Sequence, residues 1–267
     1  MRTRRVAVIG AGHGGQAMAA YLGLLGFRVT LYNRSARRLQ PIAAAGGIQL
    51  EGEIRGFGPV ERVACAIGPE LRDCRLVMVV VPATAHREVA RWCAPYLTDG
   101  QVVVLHPGRT GGALEFHTVL REQGNRADVL IGEAQTLVFA SRITGPARVR
   151  IFGFKRQVTA AALPAVRNPE LLAALREVLP VFTPAENVLE TSLDNIGAVF
   201  HPVPLLLNAG RIEATGGDFE YYRQGITPGV ARVLEALDEE RLAVAAALGL
   251  RLRSARQTRS TVCPGSV

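Results

Sequence analysis

Short apolar runs alternate with longer helical segments along the first half of the chain. Runs rich in Val, Ile and Leu that end at glycine or proline are typical of buried parallel strands; they occupy residues 5–9, 28–32, 76–81, 101–105 and 129–131. The sequence between these runs predicts helices over 17–25, 88–96 and 113–123. Because strands that alternate with helices build a mostly parallel sheet covered on both faces, we predict an α/β fold.

The pattern changes after about residue 145. Alternating positions predict a strand over 148–152, helical spacing predicts a helix over 169–179, and apolar positions then recur with a helical period over 191–213 and 226–249. The simplest division is a sheet domain over residues 1–190 and a smaller, all-helical domain over 191–253. Periodicity is lost over 254–267, and we predict a disordered tail there.

The composition is that of an ordinary folded protein, with 48% hydrophobic and 20% charged residues in a chain of 267. The formal net charge of +8 raises the question of a nucleic-acid partner. Half of that charge comes from four arginines within 251–260, where no acidic residue stands, and no basic helix with interleaved aromatic residues is found in the sequence. We therefore expect no nucleic-acid partner.

The cysteines and the apolar amino terminus bear on location. Four scattered cysteines without a C-x-x-C pair predict a reduced, cytoplasmic protein without a metal site. Residues 6–27 carry no charge, but six glycines interrupt them, so they fit neither a signal peptide nor a membrane span. We expect no membrane partner.

A glycine-rich turn follows the first predicted strand. Gly10, Gly12 and Gly15 fit the pattern G-x-G-x-x-G, with His13 and Gly14 inside it. In a strand–turn–helix setting the first glycine permits a tight turn, the second lets a pyrophosphate approach the backbone, and the third lets the helix pack on the strand. The amide groups at the start of the helix then face the phosphates. These positions predict a dinucleotide site and a Rossmann-type sheet domain.

The end of the second predicted strand bears on the choice of dinucleotide. An acidic residue there would bind the ribose hydroxyls of NAD, but this chain has Asn33, Arg34 and Ser35, followed by Arg37 and Arg38. An arginine can stack on adenine and pair with a 2′-phosphate. We therefore expect NADP as the cofactor, with NAD as the alternative and a solvated basic loop as the structural interpretation.

Three loops are predicted at the carboxyl ends of the strands, where an open α/β sheet binds its ligands. They cover residues 82–86, 106–112 and 133–136. Pro82 and His106 begin the first two loops and are candidate cofactor contacts. His106 fits either a position facing the nicotinamide or a structural role within its loop.

Several segments together resemble the octopine/nopaline (opine) dehydrogenases, which use NAD or NADP. The resemblance runs in order from residue 4 to about 250. Its segments are Ile9–Met18, His106–Phe116, Glu133–Leu137, Asn195–Glu213, Phe219–Tyr222, Gly225–Pro228 and Asp238–Arg241. The glycine motif is shared by many folds, whereas the motifs of the helical half are much narrower.

The resemblance implies a fold, a reaction and a catalytic residue. It implies a helical domain like the carboxyl-terminal domain of 6-phosphogluconate dehydrogenase, and the reductive condensation of an amino acid with a 2-oxo acid in a cleft between two domains. His201 matches the catalytic histidine of the family, and an imidazole suits proton transfer near neutral pH. From the residues alone, a histidine before Pro202 is more often a core or kink residue. Proline disfavours helical geometry at the preceding residue, so we expect a bend at His201.

The resemblance also implies substrate contacts. Thr136 and Ser141 match positions that contact the 2-oxo acid, and Asn195 precedes the catalytic histidine by six residues. The segment 137–142 departs from the family pattern, which bears on substrate preference. Arg142 fits either a carboxylate clamp or a structural ion pair.

The resemblance ends near residue 250, and residues 251–267 contain no Asp or Glu. In the family, the helices beyond this point carry an acidic partner for the histidine. A truncated chain, a shifted reading frame and completion by another chain all remain open. A shortened helical domain would expose Val230, Val233, Leu234 and Leu237, so we predict a homodimer through this domain.

Two alternatives to the opine dehydrogenase interpretation remain. A reductase of the ketopantoate type would act on a simple 2-oxo acid, but it would place a lysine near the start of the helical domain, and the only lysine, Lys155, stands well before it. The other alternative is a non-catalytic protein that binds a dinucleotide or a partner.

Overall fold

The computed structural model describes residues 5–257. The strands are β1 Arg5–Ile9, β2 Arg28–Tyr32, β3 Gly47–Gly52, β4 Gly56–Pro59, β5 Arg62–Ala64, β6 Leu76–Val79, β7 Val102–Leu105, β8 Leu130–Ala134, β9 Phe139–Gly145, β10 Arg148–Phe154, β11 Val158–Leu163 and β12 Phe182–Pro184. The helices are α1 His13–Leu24, α2 Ala36–Ala45, α3 His86–Cys93, α4 Gly112–Glu122, α5 Asn168–Arg176, α6 Val188–Leu193, α7 Ile196–Phe200, α8 Pro202–Leu207, α9 Ala209–Thr215, α10 Tyr221–Gln224 and α11 Pro228–Ala247.

An eight-stranded sheet forms the centre of the first half, in the order β12-β11-β8-β7-β6-β1-β2-β5. The pairs are parallel except for β11 against β8. The apolar runs predict this sheet because both of its faces are covered, and every residue of β6 and β7 is buried. The carboxyl ends of β1, β2, β6, β7 and β8 therefore lie at one edge, where the glycine motif and the loop 106–112 begin.

A second, four-stranded sheet has the order β4-β3-β10-β9, and of its strands only β10 was expected from the sequence. Glycines and charged residues are more typical of loops than of strands, so the sequences of β3 and β4 do not predict strands. The glycines serve close packing: a side chain at Gly58 would overlap the carbonyl oxygen of Ala20 in α1. Composition alone therefore misses a sheet whose strands must approach a helix backbone.

The chain divides into two compact units, the first ending at Ser192 and the second beginning at Leu193. The expected boundary lay after residue 190. The first unit has an extensive apolar core on both sides of its main sheet. The second has a small one, in which Val199, Val230 and Leu234 are buried together with Ala255.

The second unit consists of helices, but the long helix predicted over 191–213 is broken. It becomes α6, α7, α8 and α9. The predicted bend at His201 is confirmed, since α7 ends and α8 begins there. Pro202 and Pro204 lack the N–H that a continuous helix requires, which explains the break. At the end of α8, the buried side chain of Asn208 donates to the carbonyl oxygens of Pro204 and Gly225, both at 2.8 Å.

Two expectations for the helical half are wrong in part. Val230 and Leu234 are buried, at 8% and 5% exposure, because they pack on α7 instead of forming an open face. The segment before residue 258 is also ordered: Ala255 is 6% exposed and its N–H donates to Asp238 Oδ2 at 2.7 Å. The rest of the predicted disordered tail lies outside the described residues.

Other apolar residues of the second unit are exposed. Leu205, Leu206 and Leu207 of α8 are 53%, 71% and 53% exposed, and Val233 of α11 is 44% exposed. Within residues 5–257, no helix is both long and apolar enough to cross a membrane.

Candidate functional site

The glycine turn leads from β1 into α1 at the carboxyl edge of the sheet. Gly10 has φ +110°, and a Cβ on it would overlap the carbonyl oxygen of Val80. A Cβ on Gly15 would likewise overlap the carbonyl oxygen of Gly10. Gly12 is the N-cap of α1, and the first amides of a helix have no partners within it. The turn thus has the shape and the free donors that suit a dinucleotide pyrophosphate.

Asn33 joins the end of β2 to this turn. Its Oδ1 accepts the N–H of Ala11 at 3.1 Å, and its Nδ2 donates to the carbonyl oxygen of Ser35 at 3.3 Å. The side chain of Asn33 therefore stabilises the loop. Its main chain lies at the end of β2, where the ribose of a dinucleotide is expected.

Two arginines lie beside the turn in different settings. The side chain of Arg34 is 78% exposed and its Nη1 lies 3.7 Å from Glu88 Oε2. Arg38, one of the basic residues that follow β2, donates from Nη1 to the carbonyl oxygen of Ala11 at 3.5 Å. The motif spacing gave no signal for this contact, because it depends on the direction of α2.

The imidazole of His13 is held by β9. Its Nδ1 accepts the N–H of Ile143 at 2.8 Å, which leaves Nε2 as the donor of a neutral ring. Burial, followed by the nearby guanidinium groups of Arg142 and Arg38, lowers the pKa of His13. This exposed residue thus presents a neutral N–H donor at the glycine turn.

Ser141, a predicted substrate contact, is buried beside the glycine turn. It is 5% exposed, and its Oγ donates to the carbonyl oxygen of His13 at 3.1 Å. Its hydroxyl proton is therefore used inside the protein. The structure brings Ser141 to the glycine turn and makes it a clamp between β9 and α1.

Thr136 is half-buried in the loop after β8. Its Oγ1 lies 2.8 Å from Nζ of Lys155, which donates to it. The only lysine of the chain is thus placed beside a predicted 2-oxo acid contact, although it lies far from the start of the helical unit in sequence. A cation there suits a carboxylate.

His106 is not at the surface of the crevice. It is 0% exposed, its Nε2 accepts the N–H of Val138 at 3.1 Å, and its ring lies edge-on to Phe182 with the centroids 5.7 Å apart. Burial, helped by the charge of Lys155, lowers its pKa to about 3. The ring is therefore enclosed in the core, which fits the structural alternative for His106; its contact with the nicotinamide stays a prediction. Pro82, in contrast, is exposed at the end of the β6 segment.

Glu133 begins one of the predicted ligand loops, but no role was assigned to its side chain from the sequence. This buried carboxylate lies one residue before the end of β8 and accepts from Ala113 N–H at 2.8 Å, Thr191 Oγ1 at 2.5 Å and Ser192 Oγ at 3.0 Å. Burial raises its pKa, while these hydrogen bonds oppose the rise. Ser192 Oγ also accepts the N–H of Gly111 at 2.8 Å. Glu133 thus fixes the loop 106–112 and the last residues of the first unit.

His201 occupies the break between α7 and α8 in the second unit. Its side chain is exposed, and its hydrogen bonds run through the main chain: its N–H donates to Gly197 O at 3.1 Å and its carbonyl oxygen accepts from Tyr221 Oη at 2.7 Å. Asn195 caps the start of α7. Asn195 and His201 therefore flank the short helix α7, and the side chain of His201 is exposed.

The comparisons with known proteins agree with this arrangement. Residues 184–263 match the model of the NAD/NADP octopine/nopaline dehydrogenase alpha-helical domain. The chain is 40% identical to an opine dehydrogenase of Arthrobacter sp. over 255 residues, which cover 95% of this chain and 70% of that relative. The chain belongs to the opine dehydrogenase family. Its expected family and its fold class, a Rossmann-type sheet domain followed by helices, are confirmed.

Solved structures show the same fold. An octopine dehydrogenase determined with NADH and pyruvate has a TM-score of 0.73 at 22% identity and covers 98% of this chain and 67% of its own. A yersinopine dehydrogenase has a TM-score of 0.77 at 19% identity and covers 93% of this chain and 64% of its own. This family member therefore spans about two thirds of the length of these proteins. Residues 6–165 also match the ketopantoate reductase model, which covers the sheet domain.

Proposed function

We propose that this protein catalyses the reductive condensation of an amino acid with a 2-oxo acid, using NADPH. The amine adds to the oxo carbon and water leaves, so an imine forms. When bound, the nicotinamide supplies the hydride that reduces this imine. The balanced reaction consumes NADPH and a proton and yields a secondary amine, NADP⁺ and water.

The exposed imidazole of His201 carries this proposal. It stands at a helix break inside the segment that matches the helical domain of octopine/nopaline dehydrogenases. An exposed imidazole can polarise the oxo group, donate the proton that the departing water requires, and take a proton from the amine. Asn195 begins the same segment, and we propose that it orients a polar group of the substrate.

Residues of the first unit bind the remaining groups in this proposal. Gly10, Gly12 and Gly14 let the pyrophosphate approach, and the fixed Nε2–H of His13 donates to it. Thr136, held by Lys155, receives the carboxylate of the oxo acid. Pro82 lies at the carboxyl edge where we place the nicotinamide.

NADPH is favoured over NADH by the end of β2. Arg34 and Ser35 follow this strand with no carboxylate beside them in the sequence, and the exposed guanidinium of Arg34 can exchange its ion pair with Glu88 for one with a phosphate. Replacing Arg34 by Ala should weaken NADPH binding about tenfold, the value of one charge-assisted hydrogen bond, and leave NADH binding unchanged. If a fluorescence titration shows that the substitution weakens NADPH and NADH binding equally, Arg34 does not bind the 2′-phosphate of NADPH.

We further propose a cytoplasmic homodimer that associates through the helical unit. Leu205, Leu206 and Leu207 form an exposed apolar strip on α8, which suits a second copy of the chain. The described cysteines are free thiols, as expected in a reducing compartment. Light scattering should give the mass of a dimer for the wild type and of a monomer for Leu206→Glu.

The activity is tested by omitting one substrate at a time. NADPH consumption is followed with a 2-oxo acid such as pyruvate, with an amino acid such as L-arginine, and with both, and the product is identified by mass spectrometry. We expect consumption only with both substrates, and a product mass equal to the sum of the two substrate masses less one oxygen atom. No consumption across a panel of amino acids and oxo acids would contradict the proposal.

A ketopantoate-type reductase is the second candidate. The match of residues 6–165 to that family and the contact between Lys155 and Thr136 favour it. In this case the oxo acid alone would consume NADPH, and the product would be a hydroxy acid. The same assay therefore separates the two functions.

A further inference from the structure

The helix break at His201 leaves main-chain oxygens in need of donors. In a continuous helix the carbonyl oxygen of Phe200 would accept the N–H of residue 204, but that residue is a proline. The carbonyl oxygen of His201 accepts only a long bond within the helix, from the N–H of Leu205 at 3.4 Å. Both oxygens flank the imidazole that we assign to proton transfer.

Tyr221 supplies the missing donor from the beginning of α10. Its hydroxyl lies 2.7 Å from the carbonyl oxygen of His201 and 3.2 Å from that of Phe200. Burial, followed by the neighbouring Tyr222, raises the pKa of Tyr221, so the hydroxyl keeps its proton in the working range. The donor is therefore constant, and its single hydrogen serves the oxygen atoms on either side of the break.

The same segment holds the other end of α8. Asn208 donates to the carbonyl oxygens of Pro204 and of Gly225, which directly follows α10. α8 is thus braced against α10 at its first and last turns. A brace at two points restricts both the direction of α8 and the orientation of the residue at its start.

We propose that Tyr221 is a positioning residue for His201: its hydroxyl fixes the main chain at the helix break and thereby aims the imidazole at the substrate. The inference rests on the proposed function of His201 in proton transfer. Tyr221 itself touches neither substrate nor cofactor in this proposal. Loss of its hydroxyl leaves the ring packing in place and frees the main chain at the break.

The test removes one oxygen atom. Tyr221→Phe should lower kcat about tenfold, since small displacements of a catalytic group are costly, while the KM for NADPH and the melting temperature stay near the wild-type values. Tyr222→Phe is the matched control, because Tyr222 is adjacent, 50% exposed and in ring contact with Tyr221. It should match the wild type in every measurement.

A second readout does not depend on turnover. In protein labelled at its histidines, the NMR signal of the His201 ring should shift in Tyr221→Phe and stay in place in Tyr222→Phe. Wild-type kcat together with an unmoved His201 signal in Tyr221→Phe would overturn the inference.

His201→Ala in the same assay separates the two proposals. If it keeps wild-type turnover, the assignment of His201 fails, and the NMR shift alone then decides on the brace. If His201→Ala is inactive while Tyr221→Phe behaves as the wild type in both readouts, the positioning role of Tyr221 is wrong and the assignment of His201 stands.

Discussion

The chain contains two His-Pro pairs, and the two units treat them in opposite ways. His106-Pro107 follows a central strand of the first unit, where the imidazole is 0% exposed and accepts the N–H of Val138. His201-Pro202 stands at a helix break of the second unit, where the imidazole is exposed and the main chain makes the hydrogen bonds. The same dipeptide thus gives a packed ring in one unit and an accessible ring in the other.

The difference teaches that surroundings, not residue type, decide which imidazole is available for proton transfer. Burial lowers the pKa of His106 to about 3, so this ring gains no proton in the working range of an enzyme. The first unit can enclose a histidine because a dense core surrounds the loop. Within the described residues, the core cluster of the second unit has four buried apolar side chains, and the helix break is exposed.

The largest expected effect separates the two histidines by substitution. His201→Gln should lower kcat by about 10²- to 10⁴-fold, the usual contribution of general acid–base catalysis, with NADPH affinity unchanged. His106→Gln should keep turnover of the wild-type order and lower the melting temperature instead. Steady-state kinetics and thermal unfolding of both variants check this pair, and a reversal of the two results would break the comparison.

Removal of the carboxylate behind the 106–112 loop should have the next largest effect. Glu133→Ala leaves the donors of Ala113, Thr191 and Ser192 without their acceptor, and should reduce the free energy of unfolding by about 3 kcal/mol. Glu133→Gln should lose much less, because hydroxyl groups can turn and accept from its amide. Urea unfolding measures both.

Gln101→Ala is the matched control for Glu133. Gln101 is also buried and well bonded, but it lies at the amino end of β7, on the opposite edge of the sheet. It should destabilise the fold without changing the KM for NADPH, whereas Glu133→Ala should raise that KM. Equal KM values in the two variants would show that Glu133 serves stability alone.

The enclosure of His106 predicts a pH dependence of stability. Its pKa falls from 6.5 to about 3 on folding, so below about pH 6.5 the unfolded chain takes up a proton that the folded chain excludes. Stability therefore decreases as the pH falls, by about 2 kcal/mol at pH 5 for this group. His106→Gln should lose this part of the slope, while the contributions of the other titrating groups remain in both proteins. Parallel slopes in urea unfolding would place His106 in contact with solvent.

The substitution of Ser141 should have the smallest effect, and it tests again whether a buried side chain serves the fold or the substrate. Ser141→Ala removes a buried donor to the carbonyl oxygen of His13, and should cost about 1 kcal/mol of stability with a modest rise in the KM for NADPH. The KM for the oxo acid should stay unchanged. A change in the KM for the oxo acid alone would support Ser141 as a substrate contact.

The sequence predicts those parts of the fold that depend on periodicity. The parallel strands and the glycine turn follow from apolar runs and from a spacing with a steric cause, and the bend at His201 follows from Pro202. β3 and β4 are missed because their glycines serve contact with α1, and this contact is not visible along the chain. The helix breaks at Asn195 and Asn208 are missed because the helical spacing of apolar residues continues across both positions.

In the candidate site, too, some residues follow from sequence patterns and others depend on contacts between distant parts of the chain. Motif positions such as Gly10 and His13 lie where the sequence predicts them. His106 and Ser141 are buried by residues distant in sequence, Phe182 for the first and α1 for the second, and the sequence does not show these contacts. Glu133 and Tyr221 lie in segments of the family resemblance, but only their hydrogen-bond partners show what they hold in place.

Histidine modification measured peptide by peptide tests the central claim most directly. The protein is treated with diethyl pyrocarbonate, and the modified fraction of each histidine is compared with the remaining turnover over time. We predict that turnover falls in step with the modification of His201 while His106 stays unmodified. Loss of turnover that follows His106, or full turnover after complete modification of His201, would contradict the account.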